Sequence, residues 1–357
     1  MKKTEQIKSG LKGGEYAKEL AYLYVCDESE TEPYAQRYLD VIAGFEEIFG
    51  EAEELALFSA PGRTEIGGNH TDHQHGCVLA GSVNIDVIAA ARPNGTNEVR
   101  IKSKGYNMDV IDLDDLEIHP EQFDKAIALI RGVLRKFKDM GYELHGFDAY
   151  TMSNVMKGSG LSSSAAFEVL VGTVVNGLFA NSEVNPVEIA KFGQFAENVY
   201  YDKPSGLMDQ MASSVGSVVA IDFKSTETPV VKKVEFDLAK HGYALCIIDS
   251  GADHADLTCE YADVPAEMKA VAAYFGKEYL REVDEDEFTA NIAKIRAELK
   301  NDRAVLRAMH FFADNKKAQE EAAALERNDF DEFLRLVNES GRSSYMYLQN
   351  VYASSMP

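Results

Sequence analysis

The sequence predicts an α+β protein built as two domains. Strand-like and helix-like segments are mixed through the first two thirds of its 357 residues, and from Pro265 onward the chain is mostly helical. A composition shift at residues 237–242 marks the expected boundary, giving domains at 1–238 and 239–357, each long enough to bury a core.

Residues 14–49 read as helical. Pro33 suits a first turn, Leu39, Ile42, Phe45, Ile48 and Phe49 recur at helical spacing, and Gly50 stops the run. Strands are predicted at Leu55–Ser59, Val83–Arg92 and the alternating Glu98–Ser103, with Pro93-Asn94-Gly95 as a turn. Asp124–Met140 is an amphipathic helix, with Ile127, Ile130, Leu134 and Phe137 on one stripe, and Gly146–Met152 is a strand. A helix starts at Ala165. Asn185-Pro186 opens another, which ends near Glu197-Asn198. Gly206–Ser213 is a short segment, and strands follow at Ser217–Phe223, Pro229–Phe236 and Tyr243–Asp249. Val305–Phe312 and Phe330–Val337 are the most periodic of the late helical stretches.

Thirty-six basic against fifty-nine acidic residues give a net charge of −23. That balance argues against a nucleic-acid or anionic-membrane surface, and no apolar run approaches spanning length. Cys26, Cys77, Cys246 and Cys259 are scattered and read as free thiols of a reducing cytoplasm. The N-terminus is basic but lacks the apolar segment of a signal peptide. The expectation is a cytoplasmic monomer acting on a small molecule.

Lys157–Val171, KGSGLSSSAAFEVLV, carries the chemistry. Glycines allow close backbone approach to a ligand. The helix behind them presents unpaired N–H groups and its positive dipole end, a seat for phosphate. It is neither a Walker A loop nor a GxGxxG fingerprint, and a turn with a serine N-cap is the plain alternative. Gly62–Gly76, GRTEIGGNHTDHQHG, gathers His70, Asp72, His73 and His75. Zinc ligation is conceivable, but the spacing is not that of a zinc hydrolase helix, and a polar loop for a sugar fits better. A solvated polar loop is the bland reading. Asp209, in Gly206-Leu207-Met208-Asp209-Gln210, could orient or deprotonate a substrate hydroxyl, or cap a helix. Glu197 could ligate Mg²⁺ or be a solvated charge.

Taken together these motifs resemble the GHMP small-molecule kinases, in particular their galactose-phosphorylating branch. The matches are Pro61-Gly62-Arg63 with His70-Thr71-Asp72, GSGLSSSA at Gly158–Ala165, GLMDQ at Gly206–Gln210, and more weakly Asp253-His254 with Glu260-Tyr261. The resemblance implies a two-domain GHMP kinase fold, with a ribosomal protein S5 domain 2-like N-terminal domain and a ferredoxin-like C-terminal one. It also implies transfer of phosphate from ATP to the anomeric hydroxyl of galactose. Gly158, Ser159, Gly160, Leu161, Ser162, Ser163 and Ser164 would cradle the nucleotide phosphates, and Ser164 with Glu197 would hold Mg²⁺. Asp209 would act as base or orienter, Arg63 would stabilise transferring charge, and Asn69, His70, Asp72 and Tyr261 would contact the sugar.

Two departures qualify this. Asn69 and His73 stand where the family has glutamate and tyrosine, which leaves an amino, acetamido or deoxy analogue of galactose open. The family's later GGGFGG motif does not follow Ser340–Ser344, so the sequence reads as a C-terminally incomplete copy, with the activity of the chain as given in question. The alternatives are a kinase of another sugar or small alcohol, and a catalytically silent sugar- and ATP-binding regulator on the same fold.

Overall fold

The structure is a computed structural model that describes residues 1–156, 160–203, 205–248 and 258–351, the side chains of 258 and 259 excepted. It divides into two compact units, one formed by Met1–Arg63 and Ser82–Val215, the other by Thr64–Gly81 and Gly216–Pro357. This is a different cut from a single boundary near residue 238, because two long strands, β2 (Glu54–Gly67) and β3 (Cys77–Pro93), each run from one unit into the other.

In the first unit the strand order is β1-β2-β3-β6-β4-β5, with β1 Lys2–Lys3, β4 Glu98–Ser103, β5 Met108–Asp112 and β6 Phe147–Ser153. β3 and β6 are antiparallel, Ala90 facing Tyr150, and β4 and β6 are parallel. The near-continuous apolar run of β3 is what a strand covered on both faces requires. Its side chains alternate between two cores. Ile88 and Ala90 join Leu20, Tyr38, Val41, Ile42 and Phe45, from α2 (Ala17–Tyr24) and α3 (Glu32–Phe49). Val87, Ala89 and Ala91 join Val133, Phe137, Val169, Val175 and Phe192. These come from α4 (Ala126–Asp139), α5 (Ser163–Phe179) and α6 (Pro186–Phe195). Helices on both faces of a mixed sheet bear out the predicted class.

The expected helix over 14–49 is broken. After α1 (Thr4–Gly13) the chain turns at Gly14, forms α2, and turns again at Val25, which is left-handed, before α3 begins at Glu32 with Pro33 in its first turn. The predicted helix from Asn185 is correct at its start, where the Asn185 side chain caps Glu188 N–H. It then widens into a π-turn, Ala196–Tyr200.

In the second unit the N-terminal end of β3 pairs with β7 (Val218–Asp222), which pairs with β8 (Val230–Val234). The strand expected at Tyr243–Asp249 is absent: residues 243–248 are irregular, Tyr243, Leu245, Ile247 and Ile248 are exposed, and Asp249 lies outside the described residues. A continuous apolar run forms a strand only where a neighbouring edge and a core receive it. The rest is helical: α8 (Thr258–Tyr274), α9 (Glu285–Leu299), α10 (Asp302–Glu326) and α11 (Phe330–Ser343), the last continuing into a π-turn, Ser344–Leu348. Val264, Met268, Phe288, Phe311 and Leu348 share one core, and Leu79, Val234, Leu325, Phe333 and Leu336 another. No described helix is long and apolar enough to cross a membrane.

Candidate active site

In the first unit, β6 delivers the chain to the glycine–serine loop, and α5 carries it away. Lys157, Gly158 and Ser159 lie outside the described residues; Gly160 is left-handed (φ 73°), and so is Ser162 (φ 54°). Ser162 occupies the N-cap position of α5, yet its hydroxyl makes no capping bond and donates instead to Asp209 Oδ2. The serine N-cap alternative is therefore not what this residue does. The first N–H groups of α5 lack that partner, which suits an anion.

Asp209 lies in the first turn of α7 (Met208–Val215). Its Oδ1 accepts from Arg63 Nε at 2.7 Å and is 2.6 Å from the second terminal nitrogen, while the first donates to Gly160 O at 2.6 Å. Arg63 N–H also donates to Leu161 O at 3.1 Å. One guanidinium thus ties the carboxylate to the loop with a fork geometry that lysine lacks.

Ser164 Oγ donates to Glu197 Oε1 at 3.2 Å. Glu197, on the π-turn, is 3% exposed, so the plain reading of a solvated charge fails. Lys203 Nζ lies 2.7 Å from the same oxygen, and Gln210 Nε2 donates at 2.9 Å both to Glu197 Oε2 and to Glu168 Oε2. Gly193 makes room: a Cβ there would stand 3.0 Å from Gln210 Cγ and 3.1 Å from Glu168 Oε2. Burial holds the Glu168 carboxyl well above the usual range, and the charge of Glu197 adds to this. Burial alone would lower the Lys203 ammonium, but its hydrogen bond and ion pair with Glu197 raise it. A hydroxyl and a carboxylate are hard oxygen donors, the set that holds Mg²⁺ alongside substrate phosphates, so these residues fit that ion.

Lys203, Glu168 and the bridging role of Gln210 escaped the sequence reading. Gln210 had a signal, standing beside Asp209 in the quoted motif. Glu168, in an otherwise apolar helix, had one that went unused, and Lys203, in a polar turn, had none.

The second unit holds the polar loop. Thr71 Oγ donates to Gly68 O and Cys77 O, at 2.8 and 2.6 Å, closing the loop on itself. His70 is left-handed (φ 59°), and its ring lies 5.6 Å from that of His73 and 5.1 Å from that of Tyr261 on α8. His73 Nε2 is 3.3 Å from Tyr261 Oη and 3.7 Å from Asp72 Oδ1. Burial, with His73, His310 and Arg307 nearby, pushes His70 down to about 3, so its imidazole is neutral. His75 stacks on Tyr279 at 3.7 Å, and no described group of acids, histidines and cysteines is placed to hold a metal. Asn69 also belongs to this loop, its amide donating to Ser344 Oγ at 2.8 Å. Asp253 and His254 lie outside the described residues.

The fold, with its helix-backed serine loop, places the protein among the GHMP kinases, and a GHMP kinase N-terminal domain model matches residues 128–217. A phosphomevalonate kinase from Streptococcus pneumoniae shares that fold at 12% identity, with a TM-score of 0.54 over 84% of this chain and 82% of its own. A galactokinase galactose-binding signature matches residues 43–93. The galactokinase of Streptomyces coelicolor is 31% identical over 285 residues, 80% of this chain and 72% of the relative. That of Glaesserella parasuis is 32% identical over 306 residues, 83% and 75%. Lactococcus lactis galactokinase, solved complexed with galactose, superposes with a TM-score of 0.71 at 25% identity over 87% of this chain and 80% of its own. At that similarity the chain belongs to the galactokinase family.

Proposed function

We infer that this protein phosphorylates galactose at its anomeric hydroxyl, using ATP. The observation that carries the reading is the Asp209 carboxylate held between Arg63 and Ser162 beside the start of α5, in a chain that matches the galactose-binding signature. On this proposal Asp209 takes the hydrogen bond of the attacking hydroxyl and aligns its oxygen with the γ-phosphorus, receiving the proton as the new O–P bond forms and the bond from the γ-phosphorus to the bridging oxygen breaks, with ADP leaving. Arg63 lends its charge to the transferring group, and the N–H groups of residues 160–164 with Gly158 and Ser159 seat the phosphates. Ser164 and Glu197 would hold Mg²⁺, which supplies charge neutralisation on those phosphates. Lys203 and Gln210 fix the Glu197 carboxylate for that task. His70, Asp72, Asn69 and Tyr261 contact the sugar, the neutral His70 both donating and accepting.

We also propose that residues 1–238, with the sugar loop, the phosphate loop and Asp209, form one GHMP kinase domain and residues 239–357 belong to a second, and that the protein works in the cytoplasm, on the scatter of its cysteines. Incubation with MgATP and a panel of aldoses tests the activity. ADP release that depends on galactose is expected, and no sugar-dependent release would refute it.

A further inference from the structure

The sugar loop is not held only by its own bonds. Both hydrogen-bonding groups of the Asn69 backbone, and its side-chain amide nitrogen, are taken by the C-terminal helices of the same unit. Its N–H donates to Asp314 Oδ2 at 2.9 Å, its carbonyl accepts from His310 Nε2 at 2.8 Å, and its amide donates to Ser344 Oγ at 2.8 Å. His310 and Asp314 are four residues apart on one face of α10, and both are fully buried. Because a carbonyl only accepts, His310 carries its proton on Nε2, and Nδ1 accepts from Ser343 Oγ at 2.8 Å. Asp314 Oδ2 takes a second bond, from Ser340 Oγ at 2.9 Å. Ser340, Ser343 and Ser344 are themselves buried.

We infer that His310, Asp314 and Ser344 are positioning residues for sugar binding: they clamp Asn69, and through it set where His70 and Asp72 stand. The inference rests on the galactokinase reading above. His70 adopts a left-handed backbone without being glycine, a conformation that persists only where neighbouring contacts impose it. The preceding residue, Asn69, is held at both its backbone N–H and its carbonyl, and that carbonyl belongs to the peptide that leads into His70, so release of Asn69 frees the adjoining φ. Recognition of sugar hydroxyls tolerates little displacement. Asn69 in this chain is then an anchor as well as a sugar contact, its amide nitrogen committed to Ser344 and its amide oxygen left for the sugar.

The test is a double-mutant cycle in steady-state kinetics on the full chain, with Asn69→Ala, Ser344→Ala and the pair. Each single substitution raises the KM for galactose roughly three- to tenfold, the scale of one neutral hydrogen bond, and leaves the KM for ATP unchanged. The double mutant is no worse than the larger single, since both remove the same bond. His310→Phe, which lacks the donor, raises the galactose KM by at least as much, and His310→Gln, whose amide supplies an N–H, recovers most of it. Multiplicative effects in the cycle, an equal rise in the ATP KM, or an unchanged galactose KM would each overturn the clamp. Wild-type protein that fails to use galactose would instead remove the reading on which the clamp rests.

Discussion

Glu321 on α10 offers a quantitative check on the second unit. Its side chain is fully buried, and neither carboxyl oxygen has a hydrogen-bond partner. Burial, aided by the charge of Asp314 and opposed by Lys317, pushes its pKa up to about 8. An acid whose folded pKa is raised adds its stability in full below the unfolded value, and that stability is lost as pH rises through the folded one. From about 4.5 to about 8 the loss runs at roughly 1.4 kcal/mol per pH unit, toward an upper limit of about 5 kcal/mol. Glu321→Gln removes the titration while keeping the shape. Urea unfolding of both proteins at half-unit intervals from pH 5 to 9 should show the substitution gaining steadily on the wild type as pH rises, then levelling above 8. A difference that stays constant across pH 5–8 would show that Glu321 is ionised in the folded state, and would refute the argument from burial.

At the proposed phosphate site, Asp209→Asn should lower kcat by roughly a thousandfold or more, because the amide cannot receive the proton. Equilibrium binding should find the affinity for MgATP nearly unchanged. Arg63→Lys keeps the charge but loses the fork between Asp209 and Gly160, so kcat should fall by about a hundredfold, the scale of a lost transition-state contact; activity within twofold of wild type would contradict that role. Glu197→Gln should raise the Mg²⁺ concentration needed for half-maximal turnover about tenfold or more, read from a metal titration at fixed ATP.

Much of this was legible in the residues, and what was not has identifiable causes. The helical stripe of α4, the Asn185 cap and the alternation of β4 are local signals, and they stand where the sequence puts them. Tyr243–Asp249 carried an equally clear apolar run, yet its described part, residues 243–248, pairs with no described strand. Arg63, Ser162 and Asp209 are residue types whose chemistry announces itself, although 146 residues separate Arg63 from Asp209. Glu168, Lys203, His310 and Asp314 act through contacts made only on folding. A histidine and an acid four apart on a helix look like many others until Asn69, 241 residues earlier, arrives between them.

The most direct test of the central claim is phosphorus NMR of the product formed from galactose and MgATP. The account predicts stoichiometric ADP and a phosphate monoester coupled to the anomeric proton of galactose. Inorganic phosphate alone, or a phosphate on any other carbon, would contradict it.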